Sequence, residues 1–322
     1  MRILTSLEEA RQHLAQGSVV TIGNFDGVHL GHQKLIGETV AQAKARNIPS
    51  VAITFMPHPE HFFSPSSAMS LLMTPPAKFE AITSLGVDFI LVLPFNKELA
   101  ALTPEDFVQL VLVQGLAIHH LVIGYDYAFG KGRAGNATVL KELGNKYGFT
   151  TEQLNPVTVS NKIVSSTSIR NAIIAEHLDE ANNMLGRPFF IDSTIIHGKK
   201  RGSTKLGFPT ANLALPSETI LPHSGTYAVK VYLQTQDHKA SPFPATPPKG
   251  AINGVANIGM NPTFGDVPLS AEVHLLDFSG NIYHTGIRVW FLHFLREEKK
   301  FSSIPALIKQ IKNDISTAQH YF

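Results

Sequence analysis

A short apolar run, Ser18-Val19-Val20-Thr21-Ile22, passes directly into Gly23-Asn24-Phe25-Asp26-Gly27-Val28-His29-Leu30-Gly31-His32, and a helical pattern follows. This order constrains the fold. A run apolar on both faces reads as a strand buried within a sheet, and the glycines then lie at its carboxyl end, where a helix begins. At such a place free N–H groups and the helix macrodipole attract anions. Gly23, Gly27 and Gly31 let the backbone approach a phosphate, while His29 and His32, three residues apart, project from one face of the first turn. The segment reads as a nucleotide-phosphate site distinct from the dinucleotide fingerprint. Two histidines could also begin a zinc site. Zinc takes at least a third ligand, however, and the nearest candidates, His58 and His61, follow a different strand.

The same rhythm continues through residue 184. Ser50–Phe55, Asp88–Leu93 and His119–Gly124 are strand-like, with helical spacing at Leu35–Arg46, Pro75–Leu85 and Pro104–Leu116 between them. Thr103 before Pro104 is a cap with proline at the first helical position. Alternation of this kind predicts an α/β domain on a parallel sheet, with ligands beyond the carboxyl ends of its strands. One helix is predicted from Ser166 to about Leu185, leading from one domain into the next. After Gly186-Arg187-Pro188 the strand signals follow one another: Phe189–His197, Gly225–Leu233, Ala251–Ile258, Ser270–Leu276 and Ile287–Phe294, with one closing helix at Ile304–Ile315. That half reads as an antiparallel barrel or sandwich. Gln234–Gly250, with Pro242, Pro244, Pro247 and Pro248, reads as a long surface loop.

Bulk properties narrow the function. At 322 residues two domains are expected. A net charge of +2 argues against nucleic-acid partners and an anionic membrane surface. The lack of cysteine removes disulfides and thiolate zinc sites. Thr5-Ser6-Leu7-Glu8-Glu9 reads as a capping box opening a short helix, not a signal sequence, and no apolar run reaches bilayer-spanning length. A cytoplasmic protein acting on small molecules is the expectation.

Three further segments belong with the opening motif: Phe55-Met56-Pro57-His58-Pro59, the run from Gly124 to Asn136 containing G-Y-D-Y-A-F-G-K-G-R, and Ser165-Ser166-Thr167-Ser168-Ile169-Arg170. G-N-F-D-G-V-H-L-G-H resembles the HxGH nucleotidyltransferase signature. With P-H-P, G-Y-D-Y-A-F-G-K-G-R and S-S-T-S-I-R it resembles the adenylyltransferase domain of bacterial bifunctional riboflavin kinase/FAD synthetases. The resemblance implies a Rossmann-like domain over 1–184 that joins FMN and ATP into FAD and pyrophosphate. It assigns His29 and His32 to the phosphates, with Gly23, Asn24, Phe25, Asp26, Gly27 and Gly31 forming the nucleotide loop. Ser166, Thr167 and Arg170 match a second phosphate-binding motif, Asn136 a nucleotide position, and Phe55, Pro57 and Pro59 the flavin side. Met56 stands where the family often has an acidic or polar residue.

The second half has its own constellation, from Gly198 through Lys199, Gly202 and Gly207 to Phe208-Pro209-Thr210-Ala211-Asn212. Its glycines allow a loop over phosphates, and Lys199, Lys200, Arg201 and Lys205 supply positive charge. Thr210 and Asn212 are neutral oxygen donors on alternate residues. In an extended segment they point the same way, which suits a hydrated Mg²⁺ bridging phosphates. G-F-P-T-A-N resembles the PTAN motif of riboflavin kinases, with one residue more between Gly202 and Gly207 than in many bacterial members. G-V-A-N-I-G-M-N-P-T-F-G, A-E-V-H-L-L-D-F and Leu295-Arg296 extend the likeness. This resemblance implies a six-stranded antiparallel β-barrel with a terminal helix over 185–322, which passes the ATP γ-phosphoryl to riboflavin. It makes Glu272 the base, Arg296 a flavin-side residue, and Gly198, Lys199, Gly202, Gly207, Thr210 and Asn212 the nucleotide and metal site. By alternation alone, Glu272 between Ala271 and Val273 would be a solvent-facing residue. Rival readings are a flavin or nucleotide sensor, a nucleotidyltransferase with one active domain, and a tRNA-ligase-like protein sharing the histidine signature. Nothing in the chain resembles a tRNA-binding domain.

Overall fold

The structure is a computed structural model that describes residues 2–64, 70–197, 208–215, 218–234, 243–259 and 270–322. These pack as two compact units, one within Met1–Met69 and Lys78–Val164, the other within Ser70–Ala77 and Ser165–Phe322.

The first unit runs β1 (Arg2–Leu4), α1 (Leu7–His13), β2 (Ser18–Ile22), α2 (Leu30–Arg46), β3 (Ser50–Met56), α3 (Pro59–Phe63), the part of α4 (Pro75–Ser84) from Lys78 onward, and β4 (Phe89–Pro94). It continues through α5 (Lys97–Ala101), α6 (Pro104–Phe107), α7 (Gln114–Leu116), β5 (Ile118–Ile123), α8 (Ala137–Tyr147), β6 (Thr150–Gln153) and a small hairpin of β7 (Thr158–Val159) and β8 (Lys162–Ile163). The main sheet has the order β1-β4-β3-β2-β5-β6, and every pairing in it is parallel. Along β2 all five residues are buried. Val20 and Ile22 join a core with Leu4, Ile53, Leu91 and Leu121, while Val19 packs with Ala43 and Val122 on the other face. Covering both faces is why the run carries no charged residue. Neighbours β3 and β5 flank β2, and the chain changes direction across the sheet there. The loop after β2 therefore sits at a topological switch point, where open α/β sheets bind ligands.

Local chemistry sets the element ends. Ser6 caps α1 by accepting from the Glu9 N–H, and a Glu9 carboxylate oxygen accepts from the Thr5 N–H. Thr103 caps α6, but the predicted helix Pro104–Leu116 widens to π turns over Val108–Val113 before α7. The edge strands β1 and β6, too short for a periodic signal, were not predicted.

The second unit opens with α9 (Ser166–Ile174) and α10 (Leu178–Leu185), which corrects the single helix predicted over this stretch. Ile169, Ala172 and Ile173 are buried in α9, and continuing that stripe at 3.6 residues per turn would turn Glu176 and Glu180 inward. Instead Glu176 adopts φ +64°, and a new stripe of Leu178, Ala181, Met184 and Leu185 begins.

Six strands then close a barrel: β9 (Phe189–Ile196), β10 (Ala211–Leu213), β11 (Gly225–Gln234), β12 (Ile252–Gly259), β13 (Ser270–Leu275) and β14 (Gly286–Arg296), in the order β10-β13-β12-β11-β14-β9. All ladders are antiparallel. The terminal helix α11 spans Ile304–Ala318. Arg288 is buried in the barrel and clamps Asp192 on β9 through two hydrogen bonds of 2.6 Å, with Phe190 stacked 3.9 Å from its guanidinium carbon. Its Nη1 donates to the carbonyls of Phe243 and Pro244, and Trp290 donates to that of Ala245. The end of the proline-rich loop is thus tied down by buried donors. We expect Arg288→Ala to lower the stability of this unit by about 3–5 kcal/mol, because it strands a poorly solvated carboxylate. A denaturant titration following the barrel's transition would show this loss.

Candidate active sites

The backbone at the end of β2 sharply restricts the loop. Phe25 and Val28 adopt φ +52° and +38°, and Gly27 lies at φ +82°. The turn is closed by the Val28 N–H, which donates to the Phe25 carbonyl at 3.2 Å, while the Gly23 N–H donates to the Ile53 carbonyl of β3 at 3.1 Å. Holding a phenylalanine and a valine there costs about 1–3 kcal/mol each, so the surroundings must enforce it. Phe25 is fully buried beneath the histidines, with its ring edge-on to His32 at 5.3 Å.

His29 is the N-cap of α2. Its Nδ1 accepts the His32 N–H at 3.3 Å, so a neutral imidazole carries its proton on Nε2. The His29 and His32 rings stack with centroids 3.6 Å apart and 16° between their planes. Gly31 suits this arrangement, because a Cβ there would lie 3.1 Å from His29 Cε1 and the ring would have to give by a few tenths of an ångström. Gln33 donates to the Val28 carbonyl and fastens the loop to the helix. The first turn of α2 holds no acidic residue, so its N-terminus keeps its positive potential. The pair therefore presents donors where an anion would meet the helix.

Asn136 caps α8, its Oδ1 accepting from the N–H groups of Thr138 and Val139. The loop before it folds back through a Phe129–Gly135 bridge, and Tyr127 stacks on Phe129. Burial pushes the Tyr127 phenol up, so it stays protonated. On the β3 side, Phe55 lies edge-on to Phe95, which also meets Phe62 and Phe63 edge-on. Pro59 starts α3, capped by His58. Phe62, Phe63 and Phe95 form one aromatic cluster with the predicted Phe55. Phe62 and Phe63 fall on helical spacing and Phe95 follows a strand, so no single sequence pattern joined them. Lys78 was also missed, although it is a lone cation one turn before the buried Ile82 on a mostly apolar helix.

In the second unit Ser165 caps α9, placing Ser166 and Thr167 in its first turn, while Arg170 donates from Nε to the Ser70 carbonyl at 2.8 Å.

In the barrel, register brings the predicted kinase residues together. Asn212 on β10 pairs with Glu272 on β13, and Glu272 pairs with Asn257 on β12. Thr210, just before β10, donates its hydroxyl proton to Glu272 Oε2 at 3.0 Å. Alternation holds this row apart from the interior: Ala211, Leu213, Ala271 and Val273 are buried, whereas Asn212 and Glu272 are half-exposed. His274 donates from Nδ1 to the Pro209 carbonyl at 2.8 Å, with Phe208 against its ring, and so fixes the backbone leading to Thr210. Arg296 is held by a bidentate pair with the buried Asp314 of α11 and by the Glu297 carbonyl. The predicted loop residues Gly198, Lys199, Gly202 and Gly207 lie outside the described residues. Among the described residues, no helix is long and apolar enough to cross a membrane.

Comparison with known proteins finds two family models in this chain. The FAD synthetase family model matches residues 11–168, and the riboflavin kinase model matches residues 185–322. A bifunctional riboflavin kinase/FMN adenylyltransferase of Pseudomonas fluorescens is 39% identical over 99% of this chain and 97% of its own. The Escherichia coli protein of the same description is 34% identical over 100% and 98%. A solved structure described as a macrolide-efflux protein from Streptococcus pneumoniae superposes with a TM-score of 0.82 at 28% identity, covering 99% of this chain and 98% of that one. Full-length likeness to the curated relatives, with both domain models in order, is decisive: the chain belongs to the family of bifunctional riboflavin kinase/FMN adenylyltransferases.

Proposed function

We propose that the barrel phosphorylates riboflavin to FMN and that the histidine loop adenylylates FMN to FAD, each with its own ATP, the catalytic division falling at 184/185. Two unlike constellations of anion-binding chemistry, each within the span of one matched family model, carry this reading. In adenylylation an FMN phosphate oxygen attacks the α-phosphorus of ATP and the bond to pyrophosphate breaks. The nucleophile is already an anion, so the protein's task is to neutralise charge and hold the groups in line. His29 through Nε2–H, His32 and the loop N–H groups contact the phosphates. Ser166, Thr167 and Arg170 form the second phosphate contact, Asn136 contacts the nucleotide, and Phe55, Pro57 and Pro59 face the flavin.

The kinase step differs because its nucleophile is a neutral hydroxyl. Glu272 takes the ribityl 5′-hydroxyl proton as the oxygen attacks the γ-phosphorus and ADP leaves. Thr210 and Asn212 are hard oxygen donors of the kind Mg²⁺ accepts. Since the Thr210 proton points to Glu272, its oxygen lone pairs are turned elsewhere. A bound Mg²⁺ would neutralise charge on the ATP phosphates. Gly198, Lys199, Gly202 and Gly207 are the residues assigned to ATP binding, and Arg296 orders the flavin side. We infer a cytoplasmic protein acting on small molecules, and the net charge of +2 supports a reading without nucleic-acid or anionic-membrane partners.

The purified chain given riboflavin, ATP and Mg²⁺ is expected to yield FMN first, then FAD and pyrophosphate, read by chromatography. Chelation by EDTA should stop both steps and added Mg²⁺ should restore them. Flavin binding without product would identify a sensor, and FMN as the final product a chain with one active domain.

A further inference from the structure

Lys78 lies on α4, yet its ammonium is spent on the loop after β2. Nζ is 3.2 Å from the Asn24 carbonyl oxygen and 3.0 Å from Thr54 Oγ1, and the Thr54 hydroxyl itself donates to the same Asn24 oxygen at 3.2 Å. Thr54 is fully buried at the carboxyl end of β3. The result is a closed triangle of one cation, one hydroxyl and one peptide oxygen. Among the described residues, both hydrogen-bond partners of Lys78 are neutral, so its charge is held beside the loop without a carboxylate hydrogen bond.

The consequence is geometric. In a trans peptide the C=O and the following N–H point in opposite directions. Two donors that draw the Asn24 oxygen toward Lys78 therefore turn the Phe25 N–H away from it, toward the opposite side of the loop. The same peptide leads into Phe25 at φ +52°, whose buried ring meets His32 edge-on, and His32 stacks on His29. One charged donor thus reaches the histidine pair through a single peptide plane, and a charge-assisted bond holds that plane more firmly than the threonine alone.

We propose that Lys78 is a positioning residue for adenylyl transfer, fixing the Asn24–Phe25 peptide so that the loop N–H groups and the His32 ring face the phosphates. The inference rests on the reading of the histidine loop as the adenylylation site. It adds a residue of α4 that none of the loop motifs contains.

Lys78→Met in the full-length chain is expected to lower kcat/KM for FMN adenylylation by about 10²-fold, the scale of a misplaced reacting group. Riboflavin phosphorylation by the same molecules stays unchanged and reports that the barrel unit is folded, while an unchanged thermal transition of the first unit reports the fold around residue 78. Lys78→Arg should recover activity to within about tenfold of wild type, because it keeps a charged donor. A pH profile separates positioning by charge from mere packing. Burial lowers the Lys78 pKa to about 8, opposed by Asp26 on the loop, while Thr54 of β3 and Phe79 of α4 are uncharged. The cation is the active form, so adenylylation should fall as pH rises through that value while phosphorylation does not follow. In Lys78→Arg the alkaline limb should disappear, since guanidinium stays protonated. Should Lys78→Met lose both activities, Thr54→Val and the wild-type profile decide. A tenfold loss confined to adenylylation, with the alkaline limb, supports the proposal. Wild-type turnover in Thr54→Val without the limb overturns it. Lys78→Met with wild-type adenylylation, beside an inactive His29→Ala, overturns it while sparing the site. An active His29→Ala would remove the site reading itself.

Discussion

Replacing His29 and His32 together by alanine will stop FAD formation while FMN continues to accumulate from riboflavin. The double variant loses the Nε2–H donor of His29 and its stacked partner, both at the N-terminus of α2. Removing one preorganised donor from a charge-developing centre costs about 10²–10³ in turnover, so losing two should leave adenylylation near the detection limit. His29 also caps α2, and losing that bond costs about 1 kcal/mol of helix stability. His29→Asn separates the two roles. Asparagine is a good cap but places no donor at Nε2, so this variant should fold normally and still fail to make FAD. Chromatography of FMN and FAD over time, with FMN supplied in a parallel reaction, checks the result. Substantial FAD from the double variant would remove the histidines from the chemistry.

The reverse phenotype is expected of Glu272→Gln. Its size matches the native side chain and it can still accept from Thr210, but it no longer takes a proton from a hydroxyl. Positioned general bases contribute about 10²–10⁴-fold, and phosphorylation of riboflavin should fall by that amount. FMN supplied from outside should still become FAD at the wild-type rate, because the histidine loop is untouched. If Glu272→Gln phosphorylates riboflavin at wild-type turnover, the base lies elsewhere. Asn257, the cross-strand neighbour of Glu272, then becomes the first residue to examine.

What could be read in advance follows physical range. The β2 loop was legible because strand, glycines, histidines and helix are contiguous, and each constrains the next. Alternation around Ala271, Glu272 and Val273 placed Glu272 on the face away from the barrel interior, and register showed what shares that face: Asn212, Asn257 and the Thr210 hydroxyl. Glu272 is thus partly exposed, as its pattern implied, and also engaged. The structure corrected the helix across Glu176, where four residues separate the buried Ile173 and Leu178 and a straight helix would have turned polar residues inward. Lys78 stayed invisible because its partners, Asn24 and Thr54, are distant in sequence. One of its bonds goes to a backbone oxygen, whose residue type carries no signal. The anchoring of Phe243 and Pro244 by Arg288 was hidden for the same reason.

Closure of the second unit's strands into a ring has an effect outside catalysis. A ring of ladders offers no outermost strand on which another polypeptide could extend the pairing. The parallel sheet of the first unit cannot close, but its two margins are the three residues of β1 and the four of β6, templates too brief for durable cross-molecule ladders. Among the described residues, strand-mediated self-association is therefore disfavoured, by topology in the barrel and by brevity at the margins of the parallel sheet.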